Sequence, residues 1–177
     1  MPIADHRAAL EQIRAMLTDM HRGPIESFEE VDACGHCVVH GGERFTGSMR
    51  IDDEVIAAIE EFADLAPLHN PPNLTGIRAA MSMAPGIPQI ACFDTAFHQT
   101  LPPHAFMYAV PRELYETYRV RRYGFHGTSH RWVARRAADM LGRSLEEVNL
   151  ITCHLGNGCS MTAVRQGKSI DTTLGMT

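Results

Sequence analysis

Residues able to do chemistry gather in a few short segments, each at a glycine turn or at the end of an apolar run. They are Cys34-Gly35-His36-Cys37 with His40-Gly41-Gly42-Glu43, Leu68-His69-Asn70-Pro71, Phe93-Asp94-Thr95-Ala96-Phe97-His98, Arg121 to His130, and His154-Leu155-Gly156-Asn157-Gly158. Cys34 and Cys37 have the spacing of a redox pair, but such a pair needs a helix start to lower its thiol pKa, and Val38-Val39 follow instead. Zinc needs four sulfur or imidazole ligands, and Cys34, Cys37 and His40 offer three. Cysteines placed by chance in or beside a strand are the default reading. Gly156-Asn157-Gly158 is either a hairpin turn or a place where bare N–H groups approach a phosphate. It is neither a Walker loop nor a dinucleotide fingerprint, because no Gly-Lys-Ser/Thr and no helical pattern follow it. Asp94 reads as a turn cap or a catalytic carboxylate, His126 as a structural or an active-site histidine, and Arg121-Arg122 as a solvated pair. Ten histidines in 177 residues dilute the signal of any single one.

The elements that must position these groups follow from periodicity. Residues 5 to 20 read as an amphipathic helix capped by Asp5, with Ala9, Ile13, Met16, Leu17 and Met20 on one face. Residues 31 to 39 read as a strand and 44 to 51 as a short extended stretch. Asp52-Asp53 open a helix that carries Val55, Ile56, Ile59, Phe62 and Ala63 inward. Pro71-Pro72 interrupt, and a short helix runs from Asn73 to about Ala84. Ile87 to Phe93 is a buried strand ending on Asp94. Thr100 to Pro103 is the best candidate for a domain joint. A short strand is expected near Phe106 to Ala109, then a helix from about Ser129 to Leu141 that buries Val133, Ala137, Met140 and Leu141. Val148 to Cys153 is a second buried strand, and Met161–Val164 and Ser169–Thr173 pair around Gln166-Gly167-Lys168. Strands alternating with helices predict an α/β architecture, and ligands in such sheets gather at the carboxyl ends of strands, where Asp94 and His154 fall.

Length and composition bound the alternatives. The 177 residues allow one domain or two small ones. Hydrophobic residues make up 45% and charged residues 21%, as in an ordinary globular protein. The net charge of −5 and pI near 6.0 argue against a nucleic-acid binder. Among 16 Lys+Arg only Lys168 is a lysine, and arginine suits bidentate contacts to phosphate and carboxylate. No apolar run reaches 18 residues, so no membrane-spanning helix is expected. The N-terminus Met1 to His6 lacks the charged and apolar segments of a signal peptide. Five cysteines, an odd number, fit reduced thiols and a cytoplasmic location.

Taken together and in order, the segments resemble the acetate/propionate kinase family. Gly35-His36-x-Val38-Val39-His40-Gly41-Gly42-Glu43, Ala66 to Pro71, Phe93 to His98, Arg121 to His130 and Cys153 to Gly158 all look like its motifs, and Asp171 to Thr177 looks like the start of another. The resemblance implies a partial actin-like, ribonuclease-H-like two-domain kinase fold. Residues 1–99 would belong to the N-terminal domain and 100–177 to the beginning of the nucleotide-binding domain. It implies reversible phosphoryl transfer from ATP to acetate, giving ADP and acetyl phosphate, with Mg2+, in a protein that is typically a homodimer and has no nucleic-acid or membrane partner. It makes Asp94 the catalytic aspartate and His126 the histidine that stabilises the transferring phosphoryl group. His154, Leu155, Gly156, Asn157 and Gly158 become the ATP phosphate loop, His69 a further active-site histidine, and Val39, Leu68 and Phe125 the pocket for the acetate methyl.

The sequence departs from the family in three ways. It lacks the family's opening Asn-x-Gly-Ser-Ser-Ser turn. It stops at Thr177, before the transition-state arginine and the metal-binding glutamate. Cys37 stands where the family has a substrate-binding arginine. The expectation is therefore an internal fragment, inactive alone, with its Mg2+ ligands mainly in the segments it lacks. The alternatives are a short non-catalytic binding protein derived from the family and a fragment of a propionate kinase.

Overall fold

Asp52 sets the first helix that builds the core: its carboxylate accepts the Val55 N–H at 2.9 Å, filling a donor that the first helical turn leaves open. The computed structural model describes residues 5–176; Met1–Ala4, the larger part of the Met1–His6 stretch read as lacking signal-peptide character, and Thr177, the last residue of the Asp171–Thr177 motif, lie outside. Asp5 caps α1 (His6–Leu17) in the same way, accepting from Ala8 N at 2.8 Å. The first sheet holds β1 (Cys34–Val38), β2 (Met49–Arg50) and β3 (Gln89–Phe93), in the order β1-β3-β2. β1 runs parallel to β3, with Val38 opposite Phe93, and β2 runs antiparallel to it. The crossover between β1 and β3 contains β2, α2 (Asp53–Glu61) and α3 (Asn70–Met83). These helices close the core over Val38, Ile59, Phe62, Ile77, Ala91 and Phe93. Each fully buried side chain of isoleucine or phenylalanine size contributes roughly 1.5–3 kcal/mol.

A 3-10 turn (Ala96–Thr100) leads into α4 (Pro103–Phe106), α5 (Arg112–Tyr118) and α6 (Gly127–Met140). The second sheet is an antiparallel meander of β4 (Asn149–Leu155), β5 (Cys159–Arg165) and β6 (Lys168–Thr172). The β5–β6 turn has positive φ at both Gln166 and Gly167, the twist a two-residue hairpin requires. α6 packs on β4, β3 and the 3-10 turn, so it is the element both sheets share. Thr100 Oγ1 donates to the Ser169 carbonyl at 2.8 Å and ties that turn to β6.

Several expectations need correction. The prolines do not interrupt a helix: α3 starts at Asn70 with Pro71 and Pro72 in its first turn, where a missing N–H costs nothing. No strand forms near Phe106 to Ala109; a four-residue helix ends at Phe106, and Phe106 instead lies under the Arg121 guanidinium at 3.8 Å. α6 buries His130, Ala134 and Ala138, whereas Val133, Met140 and Leu141 are exposed. The helix is turned by polar contacts of His130, which apolar periodicity does not register. α1 ends at Leu17 rather than near residue 20, and its apolar stripe has no fully buried residue: Ile13 and Met16 are exposed, as is Met20 beyond the helix. The 44–51 stretch shrinks to two strand residues. Arg121 is not a solvated residue: it is buried and ion-paired with Glu43.

Asn70 holds this half together. It is fully buried, its Oδ1 accepts from His40 N at 3.1 Å, and its Nδ2 donates to the carbonyls of His40 and Ile59 at 3.0 and 3.1 Å. Asn70→Ala leaves one donor and two acceptors buried without partners. Each such group costs about 1–3 kcal/mol. Urea unfolding should show a loss of at least about 2 kcal/mol, with Asn70→Asp no better because its second oxygen would face two carbonyls.

Candidate active site

β3 delivers Asp94 at the carboxyl end of the first sheet, with its N–H held by the Val38 carbonyl at 2.9 Å. Its Oδ2 accepts the His126 N–H at 2.9 Å, and its own carbonyl accepts the Gly127 N–H at 2.9 Å. These two N–H groups stand at the start of α6, where donors have no helical partner. A Cβ on Gly127 would stand 2.2 Å from the Asp94 carbonyl oxygen, so only glycine permits the approach. His126 sits at φ 57°, ψ 23°, a left-handed conformation costly for a residue with a Cβ. The Asp94 carboxylate pins it there.

The His126 ring is fixed on three sides. Its Nδ1 lies 2.8 Å from Ser160 Oγ on β5. Its face stacks on His154 at 4.0 Å between centroids, and His154 Nδ1 lies 3.0 Å from Ser129 Oγ on α6. Its Nε2 edge rests against the hairpin between β4 and β5: a Cβ on Gly158 would meet Cε1 and Nε2 at 2.8 Å. Neither Gly156 nor Gly158 has positive φ. Gly158 is therefore needed for the closeness of the ring rather than for the turn. The Gly156 N–H donates to the Gly158 carbonyl at 3.0 Å, so that donor is used inside the loop.

Behind His126 the polar network continues. His130 Nε2 lies 2.7 Å from the same Ser160 Oγ, and its Nδ1 lies 2.8 Å from Thr152 Oγ1. His98 places Nε2 3.0 Å from the Phe125 carbonyl and Nδ1 2.8 Å from Ser169 Oγ. On the other side of the core, His40 Nδ1 accepts the Gly42 N–H at 3.0 Å, and its buried Nε2 has no hydrogen-bond partner. Burial pushes His40 down to about 4, with Arg121 adding to the effect. Burial likewise takes His98 and His130 to about 4. His126 is also lowered, first by desolvation and then by His154, with Asp94 opposing. At neutral pH the buried rings are uncharged.

The structure thus brings Asp94, His126, His154 and Gly158 into one contacting cluster. Leu155, Gly156 and Asn157 lie on the exposed hairpin that carries Gly158. Phe125 is buried, Val39 is half-buried with its N–H on Asn73 Oδ1, and Leu68 is 82% exposed. His69 is exposed just before α3, and no hydrogen bond or ring contact joins it to the cluster among the described residues. Cys37 is exposed on β1; burial of its sulfur, Asp94 and then Cys92 raise its thiol pKa. Cys34 and Cys37 both lie in β1 three residues apart, an odd step that sends side chains to opposite faces. Sequence reasoning gave no role to Ser160, Thr152 or Ser129. Their one legible signal is a polar alternation, Thr152 and His154 facing Thr162 and Ser160 across the β4–β5 ladder, on the face that α6 covers. Among the described residues no group of three or more His, Cys, Asp or Glu side chains could hold a metal ion.

The two sheets with the helices packed on them are the mixed α/β architecture of an actin-like fold. The acetokinase family profile matches residues 1–177, and the chain belongs to that family. Acetate kinase of Thermotoga maritima is 58% identical over 175 residues, 99% of this chain and 43% of that protein. The crystal structure of Porphyromonas gingivalis acetate kinase matches with a TM-score of 0.93 at 51% identity, covering 98% of this chain and 43% of that one. The crystal structure of a propionate kinase from Francisella tularensis matches at 0.88 and 44% identity, covering 96% and 42%. The chain spans less than half the length of these relatives.

The lowered histidines make stability depend on pH. Each is depressed from an ordinary 6.5 toward about 4, so the unfolded chain takes up protons that the folded chain refuses. Their contribution is complete above about 6.5 and is lost as pH falls toward about 4. Urea midpoints should begin to drop above the range where carboxylates protonate, and a flat profile from about pH 7 to about 5 would contradict the burial of these rings.

Proposed function

We propose that these residues form part of an acetate kinase, transferring the terminal phosphoryl group of ATP to acetate in a complete enzyme of the relatives' length. The observation that carries this reading is the Asp94–His126–His154–Gly158 cluster in a chain of this family. Acetate is already ionised at neutral pH, since carboxylic acids of its kind titrate near 4 to 5. Its oxygen attacks without a general base, and the reaction needs alignment and neutralisation of charge. In this reading His126 Nε2 and the hairpin N–H groups other than that of Gly156, which is spent inside the loop, meet phosphate oxygens. The carboxylate of Asp94 is already committed through Oδ2 to the His126 backbone, so its role here is to hold that histidine rather than to remove a proton. Mg2+, when bound, would neutralise phosphate charge, with its ligands mainly in other segments of the complete enzyme.

In the same reading residues 1–99 belong to the N-terminal domain and 100–177 to the nucleotide-binding domain, a division supported by the separate sheets at 34–93 and 149–172. Val39, Leu68, His69 and Phe125 would line the acetate side, completed by other segments. A cytoplasmic location and a homodimer fit the free cysteines and the family's habit. No helix among the described residues is long and apolar enough to cross a membrane. Acetate is preferred over propionate because the curated relatives at 55–58% identity are acetate kinases.

The test is a chimera in which this segment replaces its counterpart in the Thermotoga maritima enzyme. Acetyl phosphate should form with ATP and Mg2+, and His126→Ala should lower kcat by at least about 100-fold, the scale of one lost transition-state donor. The 177 residues assayed alone should form none. An inactive but folded chimera would favour a non-catalytic binding role.

Cys37 offers a second measurement in the same chimera. Its thiol stays neutral and is a poor donor, whereas an arginine presents a charged fork to a carboxylate. Cys37→Arg should raise kcat/KM for acetate on the order of 10- to 150-fold, the value of a hydrogen bond to a charged group. Equal kcat/KM would remove Cys37 from the substrate site.

A further inference from the structure

Cys37 has no redox partner along its own strand, because Cys34 faces the other side of the sheet. It has one across the sheet. Cys37 stands directly opposite Cys92 in the parallel ladder of β1 and β3. Residues side by side on neighbouring strands point to the same face. The next pair, Val38 and Phe93, enters the core, so Cys37 and Cys92 share the opposite face. Asp94 returns to that face two residues beyond Cys92. Charge reports the same closeness: burial raises the Cys37 thiol first, and Asp94 and then Cys92 raise it further. Parallel strands lie about 4.7–4.9 Å apart, inside the roughly 4.4–6.8 Å span of Cα atoms that a disulfide bridges.

Solvent reaches both sulfurs. Cys37 is exposed and Cys92 half-buried. Cys92 lines a cavity of about 180 Å3 together with Arg131 and Arg135 of α6, and Ser48 Oγ donates to its sulfur at 3.4 Å. Reactive cysteines occupy such partly exposed, electropositive surroundings.

We propose that Cys37 and Cys92 form a reversible disulfide across β1 and β3, a modification site for hydrogen peroxide beside Asp94. The Cys92 sulfur attacks one peroxide oxygen, the O–O bond breaks, and the leaving hydroxide takes up the thiol proton as water. Cys92 is then a sulfenic acid, and its negative charge no longer opposes ionisation of Cys37. The Cys37 sulfur attacks the sulfenic sulfur, the S–S bond forms, the S–O bond breaks, and a second water leaves. Two thiols and one peroxide thus give one disulfide and two waters, with sulfur oxidised and peroxide oxygen reduced. A strained or exposed disulfide is also the readily reduced kind, so thiol reductants reopen it.

The effect on activity rests on the kinase reading above. The two Cβ atoms must close by roughly 1 Å, from the strand spacing to the ~3.8 Å that a disulfide favours. Asp94 follows Cys92 by two residues, and its N–H hangs on the Val38 carbonyl at 2.9 Å, next to Cys37. The closure therefore pulls on the strand ends that aim Asp94 at His126. A misplacement of about 1 Å costs on the order of 100-fold in an aligned reaction.

The bond is sought first in the 177-residue chain, reduced, then treated with hydrogen peroxide at about pH 8, where part of an ordinary thiol is ionised. Free thiols are alkylated and the peptides mapped by mass. The peptide carrying Cys92 should be joined to the one carrying Cys37, with two hydrogens lost, and dithiothreitol should part them. The link should persist in Cys34→Ser and vanish in Cys37→Ser. Alkylated or over-oxidised Cys37 and Cys92 with no link between them overturn the proposal, as does a link that forms only in urea. In the Thermotoga maritima chimera, peroxide should lower kcat at least about 10-fold, with recovery in dithiothreitol. Cys92→Val should keep the untreated activity and resist peroxide. Equal sensitivity of Cys92→Val, or a linked chimera with unchanged kcat, overturns the effect on activity. A chimera inactive before treatment counts against the kinase reading alone, since the link is read without it.

Discussion

Asp94 holds the amino end of α6 by two bonds, one from its carboxylate to the His126 N–H and one from its carbonyl to the Gly127 N–H. Everything at the site depends on that grip. It joins the end of a strand in one sheet to the start of the helix that packs on the other. It also leaves no room for a side chain at the first helical residue. The left-handed backbone of His126 is its by-product: the chain must turn sharply enough for successive N–H groups to reach one aspartate. A conformation that costs of order 1–3 kcal/mol in isolation is thereby held by a charge-assisted bond of comparable strength.

A second constraint is the crowding of imidazole rings in a low-dielectric layer between α6 and the meander. His126, His154, His130 and His98 lie in ring contact with one another, and charging one disfavours charging its neighbour. Hydroxyls of Ser129, Ser160, Thr152 and Ser169 are inserted between helix, strands and rings. Neutral histidine needs one donor and one acceptor, and a hydroxyl supplies either. That flexibility is why serine and threonine, rather than carboxylates, fill this layer. A carboxylate here would pull a proton onto the nearest ring and charge the core.

Much of this was legible in the residues. Asp5 and Asp52 announced their helices by cap chemistry, Gln166-Gly167 announced a hairpin, and Asp94 and the Gly156–Gly158 loop fell at strand ends as periodicity required. The failures share a cause. Apolar periodicity assumes that the buried face of a helix is its greasy face, but α6 is oriented by His130 reaching Ser160 and Thr152, so Met140 and Leu141 end in solvent. Pro71-Pro72 reads as a break because proline disrupts helix interiors; only position distinguishes an interior from a first turn. Ser160 and Thr152 gave no signal singly, because a serine or threonine in a strand is ordinary until its partner across the sheet is known.

The order of contacts along the chain carries a further consequence, for how the protein comes into being. The meander closes through near neighbours such as Leu155 opposite Cys159 and Arg165 opposite Lys168. The first sheet cannot close until Cys34 meets Gln89, with two helices intervening. Local pairings form quickly and distant parallel ones slowly, because loop closure must precede their reward. On a ribosome the chain therefore waits with β1 unpaired until β3 has emerged, and the aspartate waits longer still for α6 and β5. Until β3 emerges, Val38, destined for the core that Phe93 completes, remains available to whatever chaperone or neighbouring chain meets it first.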